Sequence, residues 1–278
     1  MRLIDGRDHA AALRAEVIAA AAGLHESGVE PTLAVVVPTD DEATAWYVRS
    51  IERTAAKVGI ACRVHDLVGA DISTIRAELR RLSADDSVHA VICQTPLPDG
   101  AALAEVGEDI VPEKDVDGAN PVSLGRLAAG HAAFPPATAA AVVHLLRQER
   151  VTLAGAEVVV IGRSIVVGKP TALLLLANDA TVTICHSRTA DLAAVCARAD
   201  VLVAAAGRAG LVTADFVKPG AVVIDVGTNP TDDGGLVGDV SAEDVRDRAG
   251  ALTPVPGGVG PVTTMLLMRH VIEAASRT

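Results

Sequence analysis

The stretch Val158-Val159-Val160-Ile161-Gly162-Arg163-Ser164-Ile165-Val166-Val167-Gly168-Lys169-Pro170 decides the fold. An apolar β-branched run breaks into a glycine turn, and a helical pattern follows. Such a run suits a strand buried on both faces, the usual state in a parallel sheet. In a doubly wound sheet this junction cradles a dinucleotide pyrophosphate, because helix N-terminal N–H groups are free to bind anions. The spacing is not a strict G-x-G-x-x-G: Ser164 stands at the second glycine position and Gly168 comes one residue late. The context is stronger, because a second strand follows about 20 residues on, as a dinucleotide site requires.

That second strand ends Cys185-His186-Ser187-Arg188-Thr189. It lacks the acid that usually holds the ribose 2′-hydroxyl of NAD. Ser187 can donate a hydrogen bond, and Arg188 and Arg163 carry guanidinium groups. Two arginines and a serine suit a 2′-phosphate, so NADP is the expected cofactor. Gly162, Arg163, Ser164, Ser187 and Arg188 are its predicted contacts.

Before this point the chain reads as helix 8–27, strand 33–37, helix 43–58, strand 61–67, helix 71–83 and strand 88–93. That βαβαβ rhythm predicts a parallel sheet. Residues 99–137 are rich in Pro, Gly and Asp and read as the connection between domains. Helix 138–148 leads to a second alternation, with strands at 157–161, 181–185, 201–205 and 222–226 and helices at 169–178 and 189–197. A last helix, about 263–276, follows Thr253-Pro254-Val255-Pro256-Gly257-Gly258-Val259-Gly260-Pro261.

The chain has 278 residues, half of them hydrophobic, with a net charge of −11 and no block of like charge. This argues against nucleic acid or an anionic membrane as partner. The aromatic residues are Trp46, Tyr47, Phe134 and Phe216 alone, so the core must be aliphatic. Four cysteines form no CxxC pair, and they read as free thiols in a reducing cytoplasm. The N-terminus meets charge too early for a signal peptide, and no apolar run reaches the ~20 residues of a membrane span. No metal is expected.

The segments 160–164 with 167–170, 180–189, 218–227, 237–240, 253–261 and Lys114-Asp115-Val116-Asp117-Gly118 resemble the FolD-type methylenetetrahydrofolate dehydrogenase/cyclohydrolases, in family order. The resemblance implies an α/β protein of two domains with a cleft between them. Residues 1–137 would form the folate-binding catalytic domain, with the final helix, about 263–278, packed back on it. Residues 138–262 would form a Rossmann-type NADP domain. It also implies a homodimer, a folate-type substrate, and oxidation of 5,10-methylenetetrahydrofolate to the 5,10-methenyl compound, followed by hydrolysis to 10-formyltetrahydrofolate.

Residue by residue, Tyr47 matches the tyrosine that stacks on the folate, and Gln94 matches a partner of the catalytic lysine. Asp117 matches the aspartate that pairs with the pterin, since a carboxylate can accept two N–H bonds from its edge. Asp115 more readily braces the loop. Gly258 and Pro261 match substrate-cleft positions, and Thr228 a cofactor contact usually held by isoleucine. The family lysine four residues after the tyrosine is here Ile51. Spacing i, i+4 puts Tyr47 and Ile51 on one helix face, so Ile51 is expected to point into the cleft. Isoleucine cannot exchange a proton, and cyclohydrolase activity is therefore expected to be weak or absent. A specialised paralogue acting on another imine or iminium, and a non-catalytic NADP-binding regulator, are the alternatives.

Overall fold

The computed structural model of the protein describes residues 1–231 and 233–277. They fall into two compact units, Ala12–Ala137 with Thr264–Thr278, and Met1–Ala11 with Thr138–Thr263.

The chain opens with β1 (Arg2–Leu3) and α1 (Gly6–Glu26). It continues through β2 (Thr32–Val37), α2 (Glu42–Lys57), β3 (Ala61–Asp66), α3 (Ile72–Ala84) and β4 (Ala90–Cys93). Strand β2 lies between β3 and β4 in a parallel sheet. All of β2 and β4 is buried, which is why both read as unbroken apolar runs. Helix α2 starts at Asp41, whose carboxylate accepts the Thr44 N–H at 2.8 Å. Helix α3 starts the same way, at Asp71 with Thr74. The buried face of α2 is Val48, Ile51 and Ala55, at helical spacing.

The segment 99–137 is not a helix-free connection. It contains α4 (Leu103–Gly107) and α5 (Pro121–Ala128) and folds with β2–β4. Its organiser is Asp115, fully buried, whose carboxylate accepts the N–H groups of Ala119 (2.8 Å) and Asn120 (3.0 Å). Asn120 in turn caps α5 through Val122 N–H at 2.7 Å and donates to the Ile110 carbonyl. Side-chain acceptors thus replace the ladder bonds that a turn-rich segment lacks.

Next come α6 (Ala137–Gln148), β5 (Glu157–Ile161), α7 (Gly168–Leu176), β6 (Thr181–Cys185), α8 (Leu192–Cys196), β7 (Val201–Ala204) and β8 (Val222–Asp225). Short strands β9 (Asn229–Pro230), β10 (Leu236–Val237) and β11 (Ala251–Leu252) precede α9 (Val259–Ala275). The main sheet has the order β1-β11-β8-β7-β5-β6, parallel throughout. The order reverses at β5, with β6 on one side and β7 on the other, which makes the carboxyl ends of β5 and β7 the topological switch point of a Rossmann-type fold.

Residues 1–11, expected with the first domain, belong to this second unit. Strand β1 pairs with β11, and Arg2 and His9 both reach Glu149 just after α6. Helix α8 starts later than expected because Asp191 takes a left-handed φ of 46°. Helix α9 begins at Val259 and, from Thr264, joins the first unit. There His270 Nδ1 lies 3.0 Å from the Val116 carbonyl oxygen and its ring 5.3 Å from that of Phe134. Burial pushes His270 down to about 4. Thr278, the predicted helix end, lies outside the described residues.

Candidate active site

The Gly162 turn closes on the switch point. Gly162 N–H donates to the Cys185 carbonyl at 2.9 Å, so the turn is tied to β6. Its φ is 133°, and a Cβ there would lie 2.2 Å from the Ala205 carbonyl oxygen at the end of β7. A Cβ on Gly168 would lie 2.1 Å from the Gly162 carbonyl oxygen. Both glycines are therefore demanded by close backbone approach.

The expected donors move by a few residues. Ser164 Oγ accepts from Val167 and Gly168 N–H at 3.2 and 3.4 Å, and the Ser164 carbonyl accepts from Lys169. The first amides of α7 are thus taken by a serine cap rather than left for an anion. Among the described residues, Arg163, Ser164, Ile165 and Val166 donate no backbone hydrogen bond. These four amides in the turn are the open ones, and they fit the oxygens of a pyrophosphate.

Arg163, Ser164, Ser187 and Arg188 are all exposed. Among the described residues neither guanidinium has a carboxylate partner. The β6 end carries no acid, as expected. The donor set of two unpaired guanidiniums and a hydroxyl fits a phosphate monoester on a ribose. Thr228 is exposed just beyond β8.

A buried carboxylate pair braces this edge, and it was not singled out from the sequence. Asp239, fully buried, accepts N–H bonds from Ala206 (2.6 Å), Gly207 (2.9 Å) and Arg208 (2.8 Å), and from the Asn229 amide (2.9 Å). Asp225 accepts from Gly227 and Asp239 at 2.9 Å and from Val240 at 3.0 Å. Burial pushes Asp225 up to about 6 against those bonds. The pair fixes the loops after β7 and β8, the latter carrying Thr228. The signal for it was Val237-Gly238-Asp239-Val240: a Cβ on Gly238 would strike the Asp225 carboxylate at 1.8 Å. A cavity of about 470 Å³ adjoins Asp225, Thr253, Pro254 and Glu243, and none of Gly162, Arg163, Ser187 or Arg188 lines it.

In the first unit the structure brings Tyr47 and Asp117 together. Burial first, then the negative charge of Asp117, holds the Tyr47 phenol above its usual range, so it stays protonated. Burial pushes the Asp117 carboxyl up to about 6, and its Oδ1 accepts the Ala137 N–H at 3.2 Å. Gly118 beside it has φ 66°, and a Cβ there would meet Pro136 at 2.6 Å. Gln94 is set at the carboxyl end of β4 by its N–H bond to Val36 at 2.9 Å, with a half-buried side chain.

Ile51 is 0% exposed and lies with Val48 and Ala55 among the buried residues of α2, while Tyr47, one turn earlier, is half-buried. Gly258 and Pro261 lie in the second unit. Gly258 is buried, with its N–H on the Pro254 carbonyl at 2.8 Å, and Pro261 is half-buried in the first turn of α9.

Among the described residues no helix is long and apolar enough to cross a membrane, and no three His, Cys, Asp or Glu side chains cluster as a metal site. All four cysteines are free thiols.

The tetrahydrofolate dehydrogenase/cyclohydrolase catalytic-domain model matches residues 4–117, and the NAD(P)-binding-domain model of the same family matches residues 136–278. The chain is 61% identical to the bifunctional protein FolD 1 of Saccharopolyspora erythraea, over 100% of this chain and 95% of that one. It is 62% identical to the bifunctional protein FolD of a Parafrankia species, over 99% of each. Among solved structures, the FolD dehydrogenase/cyclohydrolase of Campylobacter jejuni superposes with a TM-score of 0.96 at 37% identity, over 100% of this chain and 99% of that one. The Trypanosoma brucei FolD, solved with NADP and an inhibitor, gives 0.93 at 37% identity, over 99% and 97%. The chain belongs to the tetrahydrofolate dehydrogenase/cyclohydrolase family and carries both its catalytic and its NAD(P)-binding domain.

Proposed function

We propose that the chain is an NADP-dependent dehydrogenase that oxidises 5,10-methylenetetrahydrofolate to 5,10-methenyltetrahydrofolate, with methenyltetrahydrofolate cyclohydrolase activity weak or absent. What supports this reading is the coexistence of a glycine turn with four unpaired backbone amides at 163–166 and a dry aliphatic side chain at Ile51.

NADP, when bound, supplies the hydride acceptor. The four open amides at 163–166 would hold its pyrophosphate, and Arg163, Ser187 and Arg188 its 2′-phosphate. In its ionised form Asp117 accepts the N–H groups of the pterin edge, and the neutral ring of Tyr47 offers a flat apolar face to the aryl portion of the folate. Gln94, Gly258, Pro261 and Thr228 complete the proposed contacts. Hydride transfer needs only orientation and closeness, with no proton acceptor on the protein.

Hydrolysis of the product needs a proton moved at water, help typically worth ~10²–10⁴-fold. No amine of the first unit can give it beside Tyr47. Lys57 lies exposed at the end of α2, and Lys114 Nζ donates to the Asp85 carbonyl at 2.8 Å, at the edge where β4 begins rather than where Gln94 stands. The relatives at 61% and 62% identity are named bifunctional, and our proposal departs from those names at Ile51 alone. A homodimeric, cytoplasmic enzyme is part of the same proposal.

The test is an assay of purified protein with 5,10-methylenetetrahydrofolate. NADPH should form with NADP, and NAD should turn over at least roughly tenfold less efficiently, because the lost charge-assisted contacts exceed ~1.4 kcal/mol. Dinucleotide binding without turnover would favour another imine substrate or a regulatory role.

A further inference from the structure

We propose that His186 is the positioning residue of the cofactor's 2′-phosphate site: its ring nitrogen fixes the backbone that presents Ser187 and Arg188, and so sets the preference for NADP over NAD. This rests on the NADP assignment made above.

Strand β6 ends at Cys185, whose carbonyl receives the Gly162 N–H. The chain must then turn sharply while holding two exposed side chains toward an anion. Three hydrogen bonds make that turn. His186 N–H donates to Thr189 Oγ1 at 2.9 Å, Thr189 N–H donates to the His186 carbonyl at 2.8 Å, and Arg188 N–H donates to His186 Nδ1 at 3.1 Å. The last is the bond that asparagine makes in an Asx-turn, with the imidazole nitrogen as acceptor in place of an amide oxygen. It requires Nδ1 unprotonated, which leaves the ring N–H on Nε2.

The backbone of Ser187 and Arg188 is therefore bracketed on both sides. Arg188 has four rotatable side-chain bonds, and among the described residues no carboxylate holds its guanidinium. A fixed Cα–Cβ direction is the one restraint that the protein places on it before ligand arrives. Ordering the turn in advance removes part of the entropy cost of gripping the phosphate. NAD has no 2′-phosphate and gains nothing from this restraint.

Asparagine and glutamine separate positioning from general structure, because they have the same polarity. Asparagine places its Oδ1 where Nδ1 stands, whereas glutamine reaches the Nε2 position and leaves the Arg188 N–H without its acceptor. Binding of NADP and of NAD to wild type, His186→Asn and His186→Gln should be measured by titration calorimetry, with a thermal melt of each. Loss of one such bond predicts an NADP Kd about tenfold higher for His186→Gln and an NAD Kd within about twofold of wild type. His186→Asn should keep the NADP Kd within about threefold of wild type. Equal loss of both dinucleotides in His186→Gln would overturn the proposal, as would an unchanged NADP Kd. If His186→Gln does not fold, a folded His186→Asn with impaired NADP binding and intact NAD binding overturns it, and one with wild-type selectivity supports it. Wild type binding NAD as tightly as NADP would instead refute the NADP assignment itself.

Discussion

Gly162→Ala is expected to cost this protein most of its NADP affinity and a large share of its stability. The new Cβ would sit 2.2 Å from the Ala205 carbonyl oxygen, at a φ of 133° that an L side chain resists. Backbone strain of ~1–3 kcal/mol adds to overpacking of ~1–3 kcal/mol, because the atom opposite is main chain immediately after β7 and cannot rotate away as a side chain could. If the turn shifts to relieve the contact, the four open amides at 163–166, proposed to hold the pyrophosphate, shift with it. The NADP Kd should rise by ~100-fold or more, since each tenfold corresponds to ~1.4 kcal/mol. Gly155→Ala is the control. Its φ is also positive, at 75°, but nothing lies within 4 Å of its Cβ, so only the left-handed penalty of ~1–2 kcal/mol remains. Calorimetry and thermal melts on the two variants check this. Equal behaviour of the two would remove the close approach from the explanation.

Asp117→Asn should lower kcat/KM for the folate by ~100-fold while leaving NADP affinity intact. The amide keeps one acceptor oxygen but turns an NH₂ toward a pterin edge that also donates. A lost charged hydrogen bond of ~1.5–3 kcal/mol and a donor facing a donor together reach that magnitude. The pH profile is the sharper readout. Burial pushes the Asp117 carboxyl up to about 6, so its charged form is the disfavoured one. Folate binding needs the charged form. Acidification through about pH 6 should therefore protonate Asp117 and lower kcat/KM of wild type with a one-proton slope, whereas Asp117→Asn should be flat there. An acid limb that persists in the variant would assign the titration to another group.

Strands β2, β4, β5 and β7 were readable because burial on both faces leaves an unbroken apolar run. Strands β1 and β11 are two residues each and carry no periodicity, so the pairing that draws residues 1–11 into the second unit left no local trace. Helix α5 did have its start signal, Asn120 followed by Pro121, but the surrounding Gly, Pro and Asp hid it. The residue types of the cofactor turn were legible, whereas its donors were not: that Ser164 spends its hydroxyl on α7 is a matter of three dimensions. The same holds for Asp225 and Asp239, whose bonds run to backbone up to 33 residues away.

The most direct measurement is the decay of added 5,10-methenyltetrahydrofolate against enzyme concentration, beside a parallel dehydrogenase assay. With an aliphatic, buried Ile51 in place of a titrating amine, NADPH should form together with an equal amount of methenyl product, and that product should decay only at the buffer rate. Decay that accelerates in proportion to enzyme would contradict this and establish a working cyclohydrolase without the lysine.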